Sequence, residues 1–76
     1  MPKLPSVTGK DAVKAFQALG FEVKRIKGSH HMMVKTGHRF VLSVPVHGNE
    51  RLKKGTLRSL INDAGVTVEE FIDVLN

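Results

Sequence analysis

The sequence predicts an α+β fold, a two-layer sandwich in which a three-stranded antiparallel sheet carries its helices on one face. Three segments have apolar residues at helical spacing, and three strand-like segments lie between the first and the second of them. Short turns separate the strands, which predicts antiparallel neighbours. A sheet with one apolar face needs its helices there, so we expect the order α-β-β-β-α-α and an open opposite face.

The first helix is predicted over residues 9–19, after an extended arm at residues 1–7 that holds two of the three prolines. Thr8 and Asp11 have the spacing of a capping box, in which each side chain bonds the backbone amide of the other residue. Gly20 supplies the left-handed conformation that ends a helix. The face predicted to be buried carries Ala12, Val13, Phe16 and Leu19.

The strands are predicted at residues 21–27, 30–35 and 39–44. Gly28-Ser29 forms the first turn and Thr36-Gly37-His38 the second. The alternation of the first strand slips at Arg25-Ile26, which predicts a bulge or an early end. Pro45 ends the third strand because proline has no amide to donate to the ladder. The apolar face of the third strand is predicted to hold Phe40, Leu42 and Val44.

The C-terminal part of the chain is predicted to hold two helices after a loop at residues 45–51. The second helix is expected over residues 54–64 and ends at Gly65. Thr67 and Glu70 form another capping box, which starts a short third helix. Double-stranded-RNA-binding domains share the order helix, three strands, helix, and this likeness concerns the fold alone.

Length and composition limit the classes of function. A chain of 76 residues without an internal repeat predicts a single domain over residues 1–76. It has no cysteine, so a disulfide framework and a thiolate metal site are excluded. Apolar runs fall short of the roughly 18 residues of a membrane span, and no signal peptide is recognisable, so we expect a cytoplasmic protein without membrane contact. The formal charge of +5 favours an anionic partner, either nucleic acid or an acidic protein or both, although many small basic proteins carry such a charge for solubility alone.

Two adjacent histidines, His30 and His31, directly follow the Gly28-Ser29 turn and are the first candidates for chemistry. Neighbouring residues of a strand point to opposite faces. His30 shares its face with Met32 and Val34, so the sequence predicts that His30 lies on the core side, at the rim, and is the more enclosed of the two. A purely structural role, with the imidazole bonded to a backbone carbonyl, stays open for both histidines.

Further candidates lie in the loop after the third strand and around the strands. His47 occupies that loop, where functional residues are common, although a solvated histidine is the ordinary case there. Gly55 and Thr56 would let a phosphate approach the start of the second helix. The histidines do not form a close ligand set, so no metal or cofactor is expected. The candidate RNA-binding residues are Lys27, His31, Lys35, Arg39, His47, Lys53, Lys54 and Arg58.

A histidine beside phosphate-binding cations suits RNA cleavage, because RNA carries its own nucleophile in the 2′-OH. The imidazole takes the proton of that hydroxyl or gives a proton to the leaving 5′-oxygen, and lysines stabilise the charged phosphorane. Two other classes of function stay open. One is a non-catalytic RNA-binding domain that uses the same basic surface, and the other is a small adaptor whose cations meet an acidic partner.

Several ordered motifs together resemble a known family. They are Lys3-Leu4-Pro5 with Ser6 to Lys10, Gly20-Phe21, Lys27-Gly28-Ser29-His30-His31, Val44-Pro45-Val46-His47-Gly48-Asn49, Leu52-Lys53-Lys54-Gly55-Thr56-Leu57, Ala64-Gly65 and Glu69-Glu70-Phe71. In these motifs, which span nearly the whole chain, the sequence resembles HicA toxins, the small mRNA interferases of HicA–HicB toxin–antitoxin modules. One departure is Met33, where many relatives carry an aromatic residue.

The resemblance implies a function and a site. It implies a fold similar to the double-stranded-RNA-binding domain, metal-independent endoribonuclease activity on mRNA, and neutralisation by a HicB-like antitoxin. It also implies that His30, the histidine after the Gly-Ser pair, is catalytic, together with Gly28.

Overall fold

The computed structural model describes residues 3–75; residues 1, 2 and 76, among them the first two residues of the predicted arm, lie outside the described part. The strands form one antiparallel sheet in the order β1-β2-β3. The predicted α+β class and element order are confirmed. The elements are α1 (Gly9–Ala18), β1 (Glu22–Lys27), β2 (His30–Val34), β3 (Leu42–Pro45), α2 (Lys54–Ala64) and α3 (Val68–Asp73).

Local sequence signals start and end the helices as predicted. Thr8 caps α1 and Thr67 caps α3, and both capping boxes form with a carboxylate three residues on. Gly65 follows α2 at φ 73°, a left-handed conformation that glycine adopts without a Cβ clash. The last residue of α1 is Ala18, one residue before the predicted end, and Leu19 is its C-cap. These caps satisfy backbone groups that a helix end leaves unpaired.

The core lies between one face of the sheet and the helices. Phe16 of α1 packs against Phe21 and Phe71, with ring centroids 6.1 and 5.2 Å apart. This cluster joins α1, the residue before β1 and α3 into one apolar layer. The sheet contributes Met33, Leu42 and Val44, all with 0% exposure. Within residues 3–75, no helix covers the opposite face of the sheet, which is open as the sequence predicts.

The predicted orientation of β2 is wrong, and His30 is not the more enclosed histidine. His30 is exposed on the open face, whereas His31 is half-buried on the core side next to Met33. Both faces of β2 carry a methionine, so the strand alone does not reveal its buried face. The register decides it, because His31 pairs with Val44 and Met33 with Leu42. Residues directly opposite each other share a face.

The predicted third strand is too long at its start and one residue too short at its end, since Pro45 belongs to β3 and pairs with His30. β3 begins at Leu42, and Phe40, which was expected beside Leu42 and Val44 in the core, is 52% exposed. The connection between β2 and β3 spans residues 35–41 instead of a short turn. His38 explains this path, because its Nε2 donates to the Asp63 carbonyl at 2.6 Å and its ring lies 5.2 Å from that of Phe21. The connection is therefore tied to the end of α2 rather than paired in the sheet.

Two irregular segments shape the edges of the domain. The β1–β2 register shifts between Val23 and Arg25, which places the predicted irregularity one residue earlier, at Lys24, as a bulge. The N-terminal arm pairs with the segment before α2, where the Leu52 amide donates to the Val7 carbonyl at 2.8 Å. Val7 is only 5% exposed, so this end of the arm is part of the packed domain.

Candidate active site

Two imidazoles meet where β2 begins and β3 ends. The ring centroids of His30 and His47 lie 6.5 Å apart, with an interplanar angle of 87°. The ladder explains the approach, because His30 pairs with Pro45 and His47 follows two residues later. Both side chains are exposed. The structure thus brings together the predicted catalytic histidine and the histidine of the following loop, in a position that a substrate can reach.

Serine hydroxyls lie next to both rings. The Nδ1 of His30 is 3.0 Å from the Ser43 Oγ, and the Nε2 of His47 is 3.5 Å from the Ser29 Oγ. The first distance is that of a good hydrogen bond and the second is at the outer limit. Since Ser43 engages the Nδ1 of His30, Nε2 is the ring nitrogen that remains for contact with a substrate.

Backbone bonds hold the segments that carry the two histidines together. The amide of Val46, next to His47, donates to the Ser29 carbonyl at 2.7 Å. The amide of Glu50 donates to the His47 carbonyl at 2.9 Å, which closes a turn around Gly48. His47 is therefore bracketed by hydrogen bonds on both sides. The loop is fixed relative to the turn before His30.

Gly28 is needed in the turn before His30 for conformational reasons. Its φ is +61°, in the left-handed region that side chains resist. A Cβ added there would meet no atom within 4 Å. The backbone conformation, and not a lack of space, thus favours glycine, and the surface above the turn is open to a ligand.

Cations border the histidine pair on two sides. Lys27 pairs with His30 across the β1–β2 ladder and so shares its face. On the other side, His47 and Lys53 line one cleft, which also contains Glu50, Arg51 and other residues. Lys53 is the N-cap of α2 and makes no side-chain bond to the first turn. Lys54 is exposed directly after it.

The other predicted RNA-binding residues are not brought to His30. His31 points to the core side, where its Nδ1 is buried without a hydrogen-bond partner. Lys35 lies past the far end of β2, with its Nζ 5.7 Å from the centre of the Phe21 ring. Arg39 belongs to the connection at that same far end, and Arg58 is exposed along α2. The site that forms is thus smaller than the predicted set.

Sequence reasoning missed three polar residues of the site, Ser29, Ser43 and Arg51. Ser43 reaches His30 because the two lie on the same face of neighbouring strands, which only the register reveals. Arg51 lines the cleft beside His47 and donates from Nη1 to the Ser6 carbonyl at 2.7 Å. Ser29 lies inside the motif that the sequence singled out, and its position next to His30 was an available signal.

An apolar surface with a basic border adjoins the site on the open face of the sheet. We call it the open-face patch. Its floor is apolar and its border carries three cations, one of which is the Lys27 that also borders His30. The patch is lined by Lys24, Arg25, Lys27, Met32, Val34 and Val41.

The described part of the chain offers neither a metal-ligand cluster nor a membrane-spanning helix. Among residues 3–75, no group of three or more His, Cys, Asp or Glu side chains is placed to hold a metal ion. No helix there has the length and apolar character that crossing a membrane requires.

The sequence matches a family model, described as HicA toxin of bacterial toxin-antitoxin, over residues 9–66. The match covers more than half of the chain and includes both histidines of the site. The chain belongs to the HicA toxin family. This confirms the resemblance seen in the motifs and assigns to the chain the role of toxin in a toxin–antitoxin module. No curated relative matches this HicA-family toxin.

Proposed function

We propose that this toxin is an endoribonuclease that cleaves mRNA in the cytoplasm, with His30 as an acid–base residue. The observation that carries the proposal is the setting of His30. Its imidazole is exposed, oriented by Ser43 at 3.0 Å, and next to Lys27 on the same face. A reactive imidazole needs this combination of access, fixed orientation and a nearby cation to act on a phosphodiester.

The reaction needs no group beyond those of the site and the RNA. The 2′-OH of the substrate attacks the adjacent phosphorus, and the Nε2 of His30 exchanges a proton with an oxygen of the reacting group. Lys27 stabilises the negative charge that grows on the phosphate oxygens. DNA is spared because it has no 2′-OH. We expect a 2′,3′-cyclic phosphate or its 3′-phosphate hydrolysis product.

The cations near the histidines supply the binding surface for the RNA backbone. Lys27, Lys53 and Lys54 are placed for phosphates next to the scissile bond. At the strand rise of about 3.3 Å per residue, Lys35 lies roughly 17 Å from His30, so Lys35 and Arg39 would contact only a longer RNA. Arg58 extends the basic surface along α2. His31 is not part of the proposed interface because its ring points to the core side.

The open-face patch is the proposed docking surface for an acidic, HicB-like antitoxin. Its apolar centre and charged border have the composition of a protein interface, with the dry part in the middle. Opposite charge on the partner would speed association and select it. Because Lys27 belongs both to the patch and to the site, a partner on the patch would cover His30 and exclude RNA without any conformational change. Such an interface should bury about 1,200–2,000 Å².

Incubation of the purified toxin with RNA tests the proposal. Wild type should cut RNA and leave DNA intact, whereas His30→Ala should bind RNA but cut it about 100- to 10,000-fold more slowly. Binding without cleavage by the folded wild type would favour the alternative, a non-catalytic RNA-binding domain. Full cleavage by folded His30→Ala would instead reject His30 as the acid–base residue.

A further inference from the structure

His47 lies closer to His30 than a role in phosphate binding alone requires. We propose that His47 is the second catalytic group, and that His30 and His47 act as the acid and the base on the two sides of one scissile phosphate. This inference rests on the ribonuclease activity proposed above. The sequence motifs placed His47 only in a loop; the register of the sheet is what brings it next to His30.

The separation of the rings suits a reacting group held between them. The centroids are 6.5 Å apart, and the rings stand nearly perpendicular, at 87°. Glycosidases, which also place the reacting bond between two acid–base groups, keep their carboxyl groups about 5 to 9.5 Å apart. A proton donor or acceptor works within about 2.6–3.2 Å of its target, so the two imidazoles can reach two oxygens of one phosphodiester.

The fold determines the position of His47, so its proximity to His30 is not the chance approach of a loop side chain. The Ser29 carbonyl accepts from the Val46 amide at 2.7 Å, and the Ser29 Oγ lies 3.5 Å from the His47 Nε2. Behind this segment, the backbone of Gly9 packs directly against the Pro45 carbonyl. The turn before β2, the end of β3 and the start of α1 thus hold His47 on the same side as His30.

Cations on both flanks are placed to hold a phosphate between the rings. Lys27 lies on the side of His30, and Arg51 and Lys53 line the cleft on the side of His47. Glu50 lines the same cleft and is its acidic member. An RNA strand that runs from Lys27 to Lys53 would cross the space between the imidazoles.

The proposed step balances in protons and bonds. The neutral imidazole takes the proton of the 2′-OH, and the 2′-oxygen forms a bond to phosphorus. The bond from phosphorus to the 5′-oxygen breaks, and the imidazolium gives its proton to that oxygen. The products are a 2′,3′-cyclic phosphate and a 5′-OH. The two histidines have then exchanged protonation states, and exchange with water restores them.

The first test replaces His47 by glutamine, which keeps a hydrogen-bonding amide but cannot transfer a proton at neutral pH. Single-turnover cleavage by His47→Gln should fall about 100- to 10,000-fold while the RNA dissociation constant stays near the wild-type value. His38→Gln, which removes an imidazole at the other end of the sheet, is the control and should cut like wild type once it is shown to be folded. His47→Asn serves as a second variant, and thermal unfolding confirms that each protein is folded.

The second test asks whether the two histidines have opposite roles. The wild-type cleavage site is mapped first, and an oligonucleotide is made with sulfur in place of the bridging 5′-oxygen at that bond. A thiolate leaves without being protonated, so the loss of the general acid no longer matters. One of the variants His30→Gln and His47→Gln should regain most of the wild-type rate on this substrate, and the other should stay slow.

Failure of this inference differs from failure of the proposed function. If wild type cuts no RNA, the ribonuclease proposal itself is wrong. If wild type cuts RNA and folded His47→Gln cuts equally fast, or loses only RNA affinity, His47 is at most a phosphate ligand and the inference is overturned. Recovery of both variants, or of neither, on the sulfur substrate would also overturn it.

Discussion

Gly9, the first residue of α1, is packed against the segment that leads to His47, and its replacement by alanine should destabilise the fold. A Cβ at Gly9 would overlap the Pro45 carbonyl oxygen and lie 2.9 Å from the Cα of Val46. These are backbone atoms of a strand end, so they cannot rotate away as a flexible side chain would. Either α1 or the end of β3 has to move.

Two opposing contributions determine how far Gly9→Ala changes the free energy of unfolding. Overpacking of this kind costs about 1–3 kcal/mol. Alanine in a helix gains about 0.5–1 kcal/mol over glycine, which offsets part of the cost. The matched control is Gly55→Ala in the first turn of α2, where a Cβ would meet no atom within 4 Å and only the gain applies. The two variants should therefore differ by about 2 kcal/mol, with Gly9→Ala below wild type and Gly55→Ala above it.

Thermal unfolding monitored by circular dichroism measures the difference in stability between the two variants. For a domain of this size, 1 kcal/mol shifts Tm by about 4–8 °C, so the two variants should be well separated. Both are made in the His30→Ala background, which should allow expression without the antitoxin. If Gly9→Ala unfolds at or above the temperature of the parent, the close packing of α1 on the end of β3 is refuted.

Three further predictions concern the chemistry, the binding surface and a cap. Cleavage should proceed in EDTA and leave 2′,3′-cyclic or 3′-phosphate ends on the RNA, because imidazole transfers the protons and the 2′-OH is the nucleophile. End-group analysis that finds 5′-phosphates would contradict this. Lys53→Ala should weaken RNA binding and reduce the slope of log affinity against log salt by about 0.7, whereas Lys14→Ala, an exposed change on α1, should leave the slope unchanged in a salt titration. Thr67→Ala, which removes the cap of α3, should lower the free energy of unfolding by about 1 kcal/mol in urea, and an unchanged midpoint would argue against that cap.

The sequence predicted the helices well because their signals are local. The caps Thr8 and Thr67 and the stop at Gly65 act within four residues of the chain, so they can be recognised without the tertiary structure. The bulge in β1 was predicted within a residue or two for the same reason, since a slip in alternation is visible in the strand itself.

The face of β2 and the start of β3 could not be predicted from local patterns. With a methionine on each face, the burial of Met33 instead of Met32 depends on pairing with β3. Phe40 lies outside the sheet because His38 bonds to Asp63, a contact between residues distant in sequence. The same holds for the residues of the site, which local patterns reveal only in part. His30 was found from its motif, but Ser43 and the proximity of His47 depend on the register.

Controlled induction in a bacterial host tests most directly the claim that this toxin acts through His30. Growth and mRNA integrity are followed together for wild type and His30→Ala, with protein levels matched and with or without the antitoxin. Wild type alone should stop growth and degrade mRNA, and His30→Ala should do neither while remaining folded. Among residues 3–75, the side chain of His30 bonds to Ser43 alone, so we expect its replacement to cost only about 1 kcal/mol of stability. Arrested growth and degraded mRNA in cells that express folded His30→Ala would contradict the account.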